Sequence, residues 1–129
     1  MMYPENLYYS QDHEWLKVEG EEAILGITDF AQKQLGDIIY VDLPDSGKAV
    51  EAHQTLATVE SVKSVSDIYS PVTGEVVQVN QDLAQTPELI NSDPHGQGWI
   101  LRLKLKDKSE LNNLMKAADY EKYLEGLEK

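Results

Sequence analysis

The sequence predicts a mainly β fold, a flattened, quasi-symmetric barrel or sandwich with short helices and a C-terminal helical segment. Three observations carry that expectation. Short apolar or alternating runs, each closed by Gly, Pro, Asn or Asp, recur from His13 to Leu105. Gly47–Ala57 is echoed without gaps at an offset of 27 by Gly74–Ala84, with Gly47/Gly74, Val50/Val77, Gln54/Gln81, Leu56/Leu83 and Ala57/Ala84 identical. Beyond Leu105 the apolar period becomes helical. The 129 residues fit one domain, 1–129, with a core over about 13–106 and helices over about 109–127.

The elements follow in order. Leu16 and Val18 alternate with Trp15, Lys17 and Glu19, which predicts a strand over His13–Glu19. Gly20-Glu21-Glu22 reads as a turn into a second strand, Ala23–Ile27, completing a hairpin. Thr28 offers an N-cap and Gly36 a stop, so Asp29–Leu35 is a short helix with Phe30, Ala31 and Leu35 inward. Asp37–Leu43 returns to strand composition, and Pro44-Asp45-Ser46-Gly47 closes it as a turn. Short strands are expected over Ala49–Ala52, Leu56–Ser61, Val65–Ile68 and Val76–Val79. Thr86-Pro87-Glu88 reads as an N-cap with Pro at the first helical position, starting a helix to Ile90. Asn91–Gly98 is a loop, and Trp99–Leu105 a strand with Leu101, Leu103 and Leu105 on one face and Ile100, Arg102 and Lys104 on the other. Ser109 is the expected cap of a helix carrying Leu111, Leu114, Met115 and Ala118, and Asp119 the cap of a last one carrying Tyr120, Tyr123, Leu124 and Leu127. In the repeat, each Gly is expected to supply an unusual backbone angle at the same kind of turn, and two copies suit a two-fold sandwich rather than a solenoid.

Composition narrows function. Eleven Lys+Arg against 23 Asp+Glu leave a net charge of −12, which argues against nucleic acid or an anionic membrane as partner, since both need clustered cations. With no Cys, the chain has no disulfide, thiolate metal site or thiol nucleophile of its own, so redox work requires attached sulfur. The start, Met1-Met2-Tyr3-Pro4-Glu5-Asn6, has neither a basic nor an apolar leader pattern. No apolar run approaches bilayer length. A cytoplasmic, bacterial-style protein is expected, although a mature mitochondrial form would look the same.

One residue stands out chemically. Lys63 sits between two strands, in Thr58-Val59-Glu60-Ser61-Val62-Lys63-Ser64-Val65-Ser66-Asp67-Ile68, and between the two repeat copies. It reads either as a solvated turn lysine or as an amine presented on a rigid tip for acylation or biotinylation, with Ser61, Ser64 and Ser66 leaving it accessible. His13, His53 and His95 lack metal-ligand spacing, and no nucleophile elbow, phosphate loop or dinucleotide fingerprint is present. Glu19, Glu21 and Glu22 read as a solvated face. No catalytic or metal residue is singled out.

From Glu60 through Lys63 to Val76 the sequence resembles the H protein of the glycine cleavage system. The resemblance continues, in family order, through His13-Glu14-Trp15, Gly26-Ile27-Thr28-Asp29-Phe30-Ala31, Leu35-Gly36-Asp37-Ile38, Val41-Asp42-Leu43-Pro44, Leu89-Ile90-Asn91, Gly98-Trp99 and the Leu111-to-Tyr120 segment. It implies a core of the lipoyl/biotinyl carrier type. Biotinyl domains place Met beside the modified lysine, whereas Val62 and Ser64 stand here, so lipoic acid in amide linkage on Lys63 is the implied cofactor. By the same resemblance the lipoyl arm accepts an aminomethyl group from PLP-dependent glycine decarboxylase. It delivers that group to the tetrahydrofolate-dependent aminomethyltransferase and is reoxidised by dihydrolipoamide dehydrogenase, while the protein itself catalyses nothing. A lipoate ligase or octanoyl transferase is the implied modifying partner, and a monomer is expected. The loaded arm is implied to shelter against His13-Glu14-Trp15, the Thr28-to-Leu35 helix and Asp67, with Glu14 and Asp67 accepting its cationic amine. Where some members carry His in that helix this chain has Gln34, and where some carry Ser it has Asp12. The alternative is a lipoyl or octanoyl relay to 2-oxoacid dehydrogenases, and a third possibility is an interaction module with Lys63 unmodified.

Overall fold

Residues 3–128 are described by a computed structural model; Met1 and Met2, on which the reading of the start partly rests, and Lys129 lie outside the described residues. The alternating segments fold into two antiparallel sheets. In chain order the strands are β1 (Tyr8–Tyr9), β2 (Glu14–Glu19), β3 (Glu22–Ile27), β4 (Ile38–Asp42), β5 (Ala49–Val50), β6 (Thr55–Ser61), β7 (Val65–Tyr69), β8 (Gly74–Val79) and β9 (Leu101–Leu105). One sheet has the order β1-β2-β3-β9-β8-β5 and the other β4-β6-β7. The main core includes Leu16, Leu25, Val59, Val76, Leu101 and Leu103, all fully buried. Each such side chain contributes roughly 2 kcal/mol by leaving water.

The first hairpin has a shorter turn than the spacing suggested, because Glu22 already pairs with Glu19. The chain buries both faces of β2 near its start: Leu16 enters the main core, while Trp15 enters an aromatic cluster with Tyr3, Tyr9 and Tyr120. That second cluster sits under α4 (Ala117–Glu128), and Tyr9 and Tyr120 stack with ring centroids 4.7 Å apart. Strand β1 matches no periodic run in the sequence; its two residues pair with Leu16 and Trp15.

Helix α1 (Asp29–Leu35) forms as its caps dictate: the Thr28 hydroxyl accepts from Ala31 N–H, and Gly36 ends the helix at φ 81°. In place of one helix beginning at Thr86 there are two short ones, α2 (Asp82–Gln85) and α3 (Leu89–Ser92). Thr86 is the C-cap of α2 rather than an N-cap. Pro87 disfavours helical backbone at the preceding residue, which splits the pair. The expected loop therefore starts after Ser92. The last strand begins at Leu101 rather than Trp99; Ile100, just before it, is fully buried despite alternating with Leu101, and its N–H bonds Leu25 O.

The C-terminal helices also differ from the expectation. Lys108–Asn113 is a 3-10 helix capped by Asp107, which accepts from Ser109, so Ser109 is not the cap. The apolar stripe breaks at Leu114, where the backbone extends and Met115 exchanges two backbone hydrogen bonds with Tyr9. A tertiary bridge overrides helical propensity there. Asp119 lies in the first turn of α4, which begins at Ala117.

The repeat is only half structural. The strands of its two copies, β5 and β8, pair with each other, Ala49 opposite Glu75 and Val50 opposite Gly74. Downstream the copies diverge: Leu56-Ala57 is in β6, whereas Leu83-Ala84 is in α2. The two glycines serve different ends. Gly47 turns the chain at φ 95° in open space, while Gly74 lies in β8, where a Cβ would come 2.5 Å from Lys104 O.

Candidate functional site

Lys63 sits at the tip of the β6–β7 hairpin, exposed together with Val62 and Ser64. The turn beneath it is bonded through Ser61. That buried hydroxyl accepts from the N–H groups of Lys63 (3.2 Å) and Ser64 (3.1 Å) and donates to Ser64 O (3.3 Å). Ser61 N–H also donates to Ser64 O at 2.8 Å. Ser61 thus builds the turn instead of merely leaving room for the ammonium, a local side-chain-to-backbone motif that Ser supports well. The lysine stem crosses the end of α1: a Cβ placed on Gly36 would be 3.1 Å from Lys63 Cε. Gly36 therefore serves two needs, the positive φ that stops α1 and a bare surface under the lysine.

Beside this hairpin lies a cleft of about 290 Å³ between α1, the start of β2 and the edge strand β7. Its apolar wall includes Ile27, Phe30, Leu35, Val59 and Ile68, and its polar lining includes Asp12, His13, Glu14, Gln34 and Asp67. The sequence-predicted residues Glu14 and Asp67 are thus brought to one cavity, as is the face of α1. Trp15 is not. It points to the aromatic cluster, where its indole N–H donates to Ile27 O (3.0 Å) and Pro94 O (2.9 Å).

Glu14 is 2% exposed, not a surface carboxylate. Ser10 Oγ donates to its Oε1 at 2.5 Å and Tyr69 N–H to its Oε2 at 3.3 Å, so one carboxyl joins the N-terminal segment to β7. Burial pushes its pKa up to about 7; the Ser10 hydrogen bond opposes that shift and the nearby Asp12 charge adds to it. The carboxyl also borders a second cavity, of about 350 Å³, whose lining includes His53 and Glu110. Asp67 is different. It is exposed within β7 rather than in a turn, and it accepts from Thr58 Oγ1 across the hairpin at 3.3 Å.

His13 is held at φ 70°, with its Nδ1 2.9 Å from the Tyr120 hydroxyl, which is itself 2.7 Å from Thr28 Oγ1. Burial lowers its pKa. Through Thr28, the N-cap of α1, α4 thereby braces the helix that walls the cleft. His95 is separate, accepting from Asp29 N–H at 3.2 Å through Nε2. Among the described residues no cluster of three or more His, Cys, Asp or Glu side chains is arranged to hold a metal ion, and no helix is long and apolar enough to cross a membrane.

The family model described as glycine cleavage H-protein matches residues 7–127. The chain belongs to the glycine cleavage H-protein family. A glycine cleavage system H protein of Halothermothrix orenii is 48% identical over 128 residues, covering 99% of this chain and 100% of its own length. One from Thermus thermophilus is 51% identical over 122 residues, with 95% of each chain covered. The crystal structure of a glycine cleavage system H protein from Mycobacterium marinum superposes with a TM-score of 0.84 at 34% identity, covering 92% of this chain and 95% of that one. The mainly β carrier-type fold and the role in glycine cleavage read from the sequence agree with these relatives.

Proposed function

We propose that this chain is a single-domain, non-catalytic carrier that holds lipoic acid in amide linkage on Lys63 and works in glycine cleavage. The observation that carries the reading is the pairing of an exposed lysine on a bonded hairpin tip with an adjacent cleft containing a buried carboxyl. The residues fit a lipoyl group. Lys63 supplies an accessible amine, and the cleft combines an apolar wall with two carboxyl groups. When bound, lipoate supplies a disulfide/dithiol pair that can take up and give back an amine-bearing one-carbon unit, the sulfur chemistry a chain without Cys lacks.

The chain's own residues supply attachment, shelter and charge. Amide formation at Lys63 removes one cation. In the cleft, Phe30, Leu35 and Val59 exclude water from whatever lies against them. Glu14, with a pKa near 7, is part protonated at neutral pH; a cationic amine entering the cleft lowers that pKa and meets the ionised carboxylate. Ser10 and Tyr69 hold that carboxyl in place, and Asp67 offers a second acceptor at the rim. The partners in this reading are glycine decarboxylase, the aminomethyltransferase, dihydrolipoamide dehydrogenase and a lipoate ligase or octanoyl transferase. The bacterial relatives support a cytoplasmic location.

The test is glycine-dependent reduction of the purified lipoylated protein by its decarboxylase. Reduction is expected. Failure of that assay, together with lipoyl transfer to a dehydrogenase domain, would overturn the reading in favour of a relay.

A further inference from the structure

Six large apolar side chains are exposed among the described residues, and five of them fall on one sheet and its lysine turn. Ile39 (51%), Tyr40 (54%), Val62 (63%), Val65 (66%) and Tyr69 (36%) belong to the β4-β6-β7 sheet or to the turn carrying Lys63; only Leu127 lies elsewhere, on α4. Outward faces of half-buried antiparallel sheets are normally polar, and the other sheet obeys this with exposed Lys17, Glu19 and Lys104. Register aligns Tyr40, Glu60 and Val65 in one row across the three strands, a span of ~10 Å. A register shift between Ile38 and Tyr40 leaves Ile39 exposed beside it, and bulges commonly serve to re-aim side chains. Val62 N–H donates to Asp37 O at 3.0 Å, tying the lysine turn to the start of β4. Tyr69 lies farther along β7, opposite Thr55, and Ile39, Tyr40, Val62 and Val65 are therefore one surface around the lysine turn.

Its rim is acidic. Asp37, Asp42, Glu60 and Asp67 are all exposed, and Lys63 is the only cation in residues 37–42 and 58–69. A second copy of the chain would bring the same charges face to face, which disfavours self-association. An enzyme acting on the far end of an extended arm can work away from this surface. An enzyme that acylates the lysine must bring its centre to Nζ itself and so must cover the patch.

We propose that this patch is the docking face for the enzyme that acylates Lys63, and that the enzyme meets it with an apolar pocket rimmed by Lys or Arg. The inference rests on the carrier reading, because it needs Lys63 to be modified. In the reaction, the uncharged Lys63 amine attacks the carbonyl carbon of a lipoyl-adenylate made from lipoate and ATP. A C–N bond forms, the acyl–phosphate C–O bond breaks, and AMP leaves with release of the amine proton. Apolar anchors ringed by charge concentrate binding energy at such faces, while the charges set the encounter rate.

The full chain is assayed as acceptor for a lipoate ligase with lipoate and ATP. Tyr40→Ser combined with Val65→Ser is expected to raise KM for the acceptor at least tenfold with kcat within twofold. Val62→Ser, a turn substitution with little packing to lose, is expected to raise it about threefold, and Leu127→Ser to leave it unchanged. The parent's KM is expected to rise with added NaCl. A parental KM in both patch variants, with parental thermal unfolding, overturns the docking face while leaving the carrier reading intact. Sedimentation showing a parent dimer that the patch substitutions dissociate overturns it in favour of a second copy. A folded parent that is never acylated on Lys63 overturns the carrier reading itself.

Discussion

The lysine hairpin and the neighbouring cleft handle their key groups in opposite ways. At the hairpin the reactive side chain stands in solvent and the hydrogen bonds run beneath it, through Ser61 to the backbone of Lys63 and Ser64. In the cleft the reactive carboxyl is itself buried and itself the connector, taking hydrogen bonds from Ser10 and Tyr69 at a pKa near 7. The first arrangement leaves the side chain itself in solvent, open to an enzyme. The second holds a carboxyl in a site that disfavours its charge, so the site gains most when a cation arrives. A carrier needs both: a tip that enzymes can reach and a recess against which a loaded arm can lie.

Changes at the two sites should therefore separate cleanly. Lys63→Arg is expected to abolish glycine-dependent turnover while leaving urea stability at the parental value, because the guanidinium keeps the charge but is not acylated and no buried contact is lost. Substantial turnover by that variant, measured with the decarboxylase and aminomethyltransferase, would contradict the role of the tip. Glu14→Gln should act the other way, on pH dependence. The carboxyl's folded pKa is raised from an ordinary 4.5 to about 7. Its favourable contribution is thus full below about 4.5 and is lost as pH rises through about 7. Across that window the parent should lose on the order of 3 kcal/mol relative to the variant, read from urea unfolding at a series of pH values. Lipoylation of Lys63 should be unaffected in Glu14→Gln, whereas release of a loaded amine to water should be faster.

Smaller effects probe the supports. Ser61→Ala removes the acceptor of two turn N–H groups and should cost about 1–2 kcal/mol in thermal or urea unfolding, with slower lipoylation as the tip loosens. Gly36→Ala should cost about 1–3 kcal/mol, because φ 81° with ψ −157° is a backbone conformation nearly reserved for glycine. It should also displace the lysine stem, since the new Cβ would lie 3.1 Å from Lys63 Cε. If both variants were lipoylated at the parental rate, the tip would depend on neither support.

Local signals in the sequence translated well into local structure. Thr28 and Gly36 fixed the ends of α1, and the alternating runs placed most strands. Lys63 was legible because it lies between two strong strand segments. Contacts between distant segments were not legible. No periodicity announces that Met115 pairs with Tyr9 and so ends a helical stripe, or that Pro87 divides two short helices. Identity over the repeat misled in the same way: Leu56 and Leu83 are both buried, one in a strand and one in a helix, because an apolar residue reports burial and not backbone shape. Glu14 and Asp67 entered through resemblance alone. Ser10, Tyr69 and the second role of Gly36, as bare surface under the lysine stem, were missed because they arise only when the N-terminal segment, β7 and the lysine turn come together.

The central claim is that Lys63 is the attachment point of the carrier. Protein made in a host able to attach lipoate would be measured intact and then by peptide fragmentation. One lipoyl group per chain, confined to the peptide containing Lys63 and absent from Lys63→Arg, is the predicted result. Folded wild-type chain with no added mass, or with lipoate on a different lysine, would contradict the account.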